Sequence, residues 1–282
     1  MKLLTDFDGV WTDPSEEAAV GFDVIVDEVS RLTGKNSTEI LPRIRSIRED
    51  VLADPTNHGW ESNGALAAFS EEDPYITNNA ICRSIALNHA DLWEAVRAEH
   101  GDFDKFSYSC YRGGVERFGK RETPLLRTGA TEILERLLAA GWEIVYASNS
   151  TGEKLRGCLG NLAAESGGPI RIRGSARKFV LTSEDENATR DFCGRKVRTD
   201  RGHYRDILEE EMPDIIIGDV FSLDLALPAD MVAKGIPYLQ KGLLLYRTGY
   251  TPSWAVESAS ATPGIGIVDS LEAFASHLSS LS

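Results

Sequence analysis

The sequence predicts an α/β fold, with a doubly wound, mainly parallel sheet and an all-helical insertion near its start. Two observations predict it. Short apolar runs at Leu3-Leu4, Ile144-Val145 and Ile215-Ile216-Ile217 alternate with segments of helical periodicity, the pattern of strands buried on both faces. From about Pro14 to Lys120, by contrast, only helical patterns recur. The predicted division is therefore 1–13 with 121–282 as the α/β core and 14–120 as the helical insertion.

Each element has a local reason. Leu3-Leu4 reads as a short buried strand running into Asp6-Phe7-Asp8-Gly9. Asp13-Pro14-Ser15-Glu16 then reads as a helix start, with Asp13 as N-cap rather than catalyst. Phe22, Ile25, Val29 and Leu32 form one helical stripe, and Ile40, Ile44, Ile47 and Val51 form a second. Gly34-Lys35-Asn36-Ser37 separates them, a Gly- and Asn-rich loop runs from Asp54 to about Pro74, and Leu92 and Val96 mark further helix. The character changes near Thr123-Pro124, where Ile133, Leu134, Leu137 and Leu138 form a helix face stopped by Gly141. Trp142 to Ala147 is a predicted strand, and Arg171 to Arg173 and Lys178 to Leu181 are candidate strands. Ser183 to Cys193 is expected as an exposed loop, or as part of an inserted hairpin. A helix over His203 to Glu211 precedes the strand Ile215 to Ile217, then come strands at 243–246 and 265–268 and a closing helix from Leu271.

Composition narrows the function. A net charge of −14 disfavours a nucleic-acid backbone as partner. No apolar run approaches the ~18 residues of a membrane span, and no charged region followed by an apolar run marks a signal peptide. Cys82, Cys110, Cys158 and Cys193 lie far apart with no C-x-x-C pair, the usage of a cytoplasmic protein with reduced thiols. None of the five histidines has a metal-ligand partner at helical spacing. The expected partner is a small molecule, with no nucleic acid and no membrane, and nothing in the sequence sets an oligomeric state.

The chemistry is concentrated at strand ends. In an extended chain residues i and i+2 face one side, so Asp6 and Asp8 point to one site. Two such carboxylates repel unless a cation joins them or one takes a proton. Asp-Gly is also a common turn signal, so the rest of the chain has to support the reading. It does so at Ser148-Asn149 after the second apolar run and at Asp219 after the third, with Asp224 five residues on. Ligands of open α/β sheets bind at the carboxyl ends of the strands.

The ordered set DFDGV, YASN and GDVFSLD resembles the motifs of the haloacid dehalogenase-like (HAD) hydrolase superfamily. The insertion after the first motif is where one class of these enzymes carries a cap domain, so 14–120 is expected to be that cap on a Rossmann-like core. The resemblance implies a phosphatase with Asp6 as nucleophile and Asp8 as general acid and base. It implies Mg²⁺ as cofactor, held by Asp6, the Asp8 carbonyl, Asp219 and Asp224, and a phosphoryl oxygen held by Ser148 and the Asn149 backbone N–H. It also implies a basic residue beside the nucleophile: Lys178 in GSARKF, or Arg201 as the alternative, with Lys154 and Lys196 less well placed. The expected substrate is a small phosphorylated metabolite. A phosphomutase, a haloacid dehalogenase or a non-catalytic binding protein on the same fold are the alternatives. Trp11 is open to two readings, lining the pocket or packing between domains. Trp60, Asn63 and Tyr75 are expected as exposed loop residues rather than substrate contacts.

Overall fold

The structure, a computed structural model, describes residues 1–120, 126–163, 168–183 and 188–281. The Thr123-Pro124 boundary and residues 184–187 lie outside them. In chain order the elements begin with β1 (Lys2–Thr5), α1 (Pro14–Thr33), α2 (Ser37–Ala53), β2 (Gly59–Ser62), β3 (Ala65–Phe69), α3 (Pro74–Asn88), α4 (Ala90–His100) and α5 (Phe103–Phe118). They continue with α6 (Ala130–Ala139), β4 (Glu143–Ala147), α7 (Gly152–Leu159), β5 (Ile170–Arg173), β6 (Thr189–Phe192), β7 (Arg195–Arg198) and α8 (Gly202–Glu211). The last are β8 (Ile215–Gly218), α9 (Ala226–Ala233), β9 (Gly242–Tyr246), α10 (Ser253–Ala261), β10 (Ile265–Val268) and α11 (Leu271–Leu281).

Two compact units form. One comprises Met1–Asp13, Glu61–Ala68 and Pro124–Ser282, the other Pro14–Trp60 and Phe69–Thr123. The first is built on a six-stranded sheet of order β10-β9-β8-β1-β4-β5, parallel throughout. β1 is central: Leu3 pairs with Ile144 on one side and Ile215 on the other. The chain leaves β1 toward β4 and later crosses to β8 on the opposite side. The three tips that carry polar groups are therefore adjacent, at the point where the strand order reverses. Leu3, Phe7, Trp11, Ile133, Leu137, Tyr146 and Phe274 are among the core of this unit. Trp11 is fully buried in that core, its Nε1 donates to Thr5 Oγ1 at 2.9 Å, and its ring meets Tyr146 and Phe274 edge-on.

The second unit is a helical assembly whose core joins both predicted stripes. Ile25 and Val29 of α1, Ile40, Ile44, Ile47 and Val51 of α2, Ile81 and Ile85 of α3, and Leu92 and Val96 of α4 are all buried there. Asn36 caps α2 and Asp73 caps α3, each side chain accepting from backbone N–H groups of the first turn. No helix of the described residues is long and apolar enough to cross a membrane.

Three expectations need correction. The stretch 14–120 contains a hairpin, β2–β3, joined by Asn63-Gly64 with both residues at positive φ (50° and 74°). That is the geometry a two-residue hairpin turn demands and Asn-Gly supplies. Lys178 to Leu181 is not a strand: Lys178 N and Leu181 N donate to the side chains of Asn149 and Ser62, and Val180 N closes a local turn on the Arg177 carbonyl. In the stretch read as a loop up to Cys193, Thr189–Phe192 pairs antiparallel with Arg195–Arg198 across Cys193-Gly194. The inserted hairpin considered for this region is therefore present.

Candidate active site

The site begins with Asp6, just past the end of β1. Its backbone N–H donates to the Ile217 carbonyl at 2.9 Å, so the ladder with β8 holds it one step beyond the strand. Its Oδ1 accepts from Phe7 N at 2.7 Å, and its Oδ2 lies 2.8 Å from Lys178 Nζ. The Lys178 ammonium is 1% exposed and reaches Asp224 Oδ1 at 2.5 Å as well. Oxygens of Asp6, Asp219 and Asp224 all lie within 4.8 Å of one another.

Local sequence sets this spacing. A β-carbon on Gly9 would fall 1.9 Å from Asp219 Oδ2, and one on Gly218 would fall 2.3 Å from Asp224 Cβ. Both positions need the hydrogen that only glycine offers. Asp224 sits in a π-helical turn, Phe221–Leu225, that projects it back toward the strand end, and its Oδ2 accepts from Val220 N at 3.0 Å. With Oδ1 on Lys178, Asp224 also ties the lysine to the acid cluster. Asp219 Oδ2 accepts from Tyr250 Oη at 2.8 Å.

Asp8 faces a different set of donors. Its Oδ2 accepts from Ser150 Oγ at 2.7 Å and its Oδ1 from Lys154 Nζ at 3.1 Å. Ser148 is buried, and its Oγ accepts from Ser150 N at 3.1 Å. The Asn149 side chain accepts from Lys178 N at 2.9 Å.

Electrostatics follow from burial and charge. The Asp6 carboxyl is raised to about 7: burial pushes it up most, Lys178 pulls it down in part, and Asp224 and Asp8 add to the rise. Burial opposes the charge on Lys178, yet Asp224 and Asp6 outweigh it and hold the ammonium well above its ordinary value. Three carboxylates thus crowd one buried lysine, a charge imbalance that a cation would relieve. Their donor set is all oxygen, the glycine at position 9 gives Asp219 room to approach, and the spacing suits a hard divalent ion.

Of the residues expected from sequence, Asp6, Lys178, Asp219 and Asp224 converge. Asp8, Ser148 and Asn149 line the neighbouring tips of β1 and β4. Arg201 is fully buried, and its guanidinium donates to the carbonyls of Lys178 and Ala67. Lys154 reaches Asp8, and Lys196 is exposed on β7. Sequence reasoning missed Ser150, Tyr250 and Arg127. The Arg127 guanidinium donates to the carbonyls of Gly9 at 2.9 Å and Val10 at 3.1 Å, fixing the turn after the two acids. Ser150 had a signal, being i+2 from Ser148; Tyr250 and Arg127 had none.

No protein-family model matches the chain. No curated protein matches it either. Solved structures do. The chain is similar to a predicted phosphatase from Clostridium acetobutylicum at 14% identity and a TM-score of 0.50, covering 99% of this chain and 98% of that one. It is also similar to a HAD phosphatase from Thermococcus onnurineus (15% identity, TM-score 0.48, 99% and 98% covered). A 2-haloacid dehalogenase from Pseudomonas syringae pv. Tomato aligns at 12% identity and TM-score 0.48, with 100% and 99% covered. The parallel sheet with its flanking helices is thus a fold this chain shares with the predicted phosphatase from Clostridium acetobutylicum.

Proposed function

We propose that this protein is a Mg²⁺-dependent phosphatase of small phosphorylated metabolites, working through an aspartyl-phosphate at Asp6. The observation that carries the reading is the sharing of one buried ammonium, Lys178, by Asp6 and Asp224, with Asp219 alongside. That arrangement presents a carboxylate nucleophile beside a group able to neutralise an incoming phosphate.

Asp6, Asp219 and Asp224 would hold Mg²⁺, which when bound supplies positive charge that lets a carboxylate approach an anionic phosphate. A carboxylate oxygen of Asp6 attacks phosphorus, and the bond from phosphorus to the ester oxygen breaks. Asp8 gives its proton to the leaving alkoxide. Water then attacks the same phosphorus, Asp8 takes a proton from it, and the bond to Asp6 breaks to release inorganic phosphate. Ser148 spends an acceptor position on Ser150 N, leaving its hydroxyl hydrogen for a phosphoryl oxygen beside the Asn149 N–H. Ser150 and Lys154 fix the Asp8 carboxylate between these two steps. The helical insertion beginning at Pro14 serves as the substrate-selecting cap, a reading drawn from its place in the chain.

The dehalogenase alternative is less well supported. Halide leaves without a proton and that chemistry needs no metal, so Asp8, Asp219 and Asp224 would have no task. The test is turnover of an aryl phosphate and a metabolite panel with and without Mg²⁺, in wild type and Asp6→Asn. Wild-type turnover that requires Mg²⁺ and vanishes in the variant is expected; an Asp6→Asn protein of full activity would falsify the reading.

A further inference from the structure

We propose that Arg201 and the hairpin tip Glu61–Ala68 form a clamp on the segment that carries Lys178, and that Arg201 is a positioning residue acting through that lysine. The catalytic consequence rests on the reading of Lys178 given above; the clamp itself does not.

Lys178 sits on backbone with no sheet to support it. Ser175 and Arg177, just before it, both have positive φ (53° and 51°), a conformation that costs non-glycine residues about 1–3 kcal/mol and persists only when the surroundings impose it. The surroundings here are the Ser150 and Ser148 carbonyls, which accept from Ser175 N at 2.8 Å and Ala176 N at 2.9 Å, and then side chains from three other segments. Asn149 Oδ1 accepts from Lys178 N at 2.9 Å. Arg201 Nη1 donates to Lys178 O at 2.6 Å, so both backbone groups of the lysine are held. Three residues on, Leu181 N donates to Ser62 Oγ at 3.0 Å, and Asn63 Nδ2 donates to Leu181 O at 2.6 Å.

The two ties converge on the hairpin. Arg201 Nη2 donates to Ala67 O, so one guanidinium bridges the lysine's carbonyl and β3. Ser62 and Asn63 are the end of β2 and the first turn residue. Arg201 is 0% exposed, an expensive place for a permanent charge unless its donors are used. A planar fork with several donors can serve two carbonyls at once, whereas an ammonium is a point charge. Lys178 in turn must stay within hydrogen-bond range of two acids, so a small shift of this backbone withdraws it from Asp6.

The experiment uses the full-length protein. Ser62→Ala/Asn63→Gly removes both ties to Leu181 and keeps a residue at 63 that accepts positive φ; Arg201→Lys keeps charge and loses the fork. Circular dichroism checks folding. The readouts are hydrogen exchange of peptides covering 178–183, acylation of Lys178 by acetic anhydride mapped by mass spectrometry, and kcat and KM on an aryl phosphate with Mg²⁺. In the double variant, exchange and Lys178 acylation are expected to rise at least fivefold. kcat should fall about tenfold or more with KM within twofold, and Arg201→Lys alone should show the same rise and the same fall; a folded Arg201→Lys protein at wild-type values overturns the positioning role of Arg201. Unchanged exchange and acylation in the folded double variant overturn the clamp. A rise in both with unchanged kcat overturns the positioning role. If wild type cleaves no ester, the phosphatase reading falls, and exchange and acylation alone decide the clamp. If Arg201→Lys does not fold, the double variant decides the hairpin's part of the clamp and Arg201→Gln is measured in place of Arg201→Lys.

Discussion

The Tyr250 hydroxyl donates to Oδ2 of Asp219 at 2.8 Å, from the loop that follows β9. A donor on a ligating carboxylate fixes which way it points, and losing such a partner typically weakens metal binding about 10–100-fold. Tyr250→Phe keeps the ring and removes only that hydrogen bond. Titration calorimetry with Mg²⁺ is expected to show a rise in Kd of about that size. An unchanged Kd would mean that Asp219 is oriented by other contacts.

Gly9 gives a sharper test, because two penalties coincide. Its φ of +79° is strained for any other residue, and the added carbon would overlap Asp219. Gly9→Ala is expected to cost about 1–3 kcal/mol in backbone strain and also to displace the carboxylate. Loss of Mg²⁺ binding with only a modest fall in melting temperature is the outcome to look for.

Glu211 separates stability from activity. Its carboxylate is 3% exposed and meets Arg171 at 2.8 Å, Arg173 at 2.7 Å and Lys2 at 3.8 Å. It closes α8 against the strands and touches no candidate site residue. Glu211→Gln weakens these charge-assisted bonds and is expected to destabilise by about 1.5–3 kcal/mol. Melting temperature should drop while kcat and KM stay at wild-type values.

In the helical unit, Glu28 links α1 to α4. The Arg31 hydrogen bond holds its carboxyl below the ordinary 4.5, against the effect of burial, and His100 adds a second bond at 2.8 Å. A depressed carboxylate stabilises the fold above its unfolded pKa and loses that contribution as pH falls through the folded value. Glu28→Gln should therefore be less stable than wild type near pH 6, with the gap closing as pH drops below about 4.5. Parallel urea titrations at several pH values check it; a gap that persists at pH 3 would contradict it.

The acids were legible in the sequence because each follows an apolar run short enough to be only a strand. Asp6 and Asp8 follow Leu3-Leu4, and Asp219 follows Ile215 to Ile217, so strand adjacency alone brings them together. The basic residue was harder. Nothing in the flanking residues says which of Lys178 and Arg201 meets the acids; in the fold Lys178 pairs with Asp6 and Asp224, and the Arg201 guanidinium donates to carbonyls. Lys178 to Leu181 misled because Phe179, Val180 and Leu181 are apolar and strand-like, while the side chains that hold their backbone come from residues 62, 63 and 149. The Asn63-Gly64 turn was a readable signal that the surrounding helical periodicity masked. Tyr250 and Arg127 meet their partners only through the fold.

The sheet unit draws Glu61–Ala68 from the middle of the long excursion between residues 13 and 124, so the backbone passes between units four times rather than twice. A shortened protein that splices residue 13 directly to 124 would discard eight residues its remaining half depends on. Any exchange of this excursion for another, by a breeder of variants or by recombination, has to import a replacement prop at the same place.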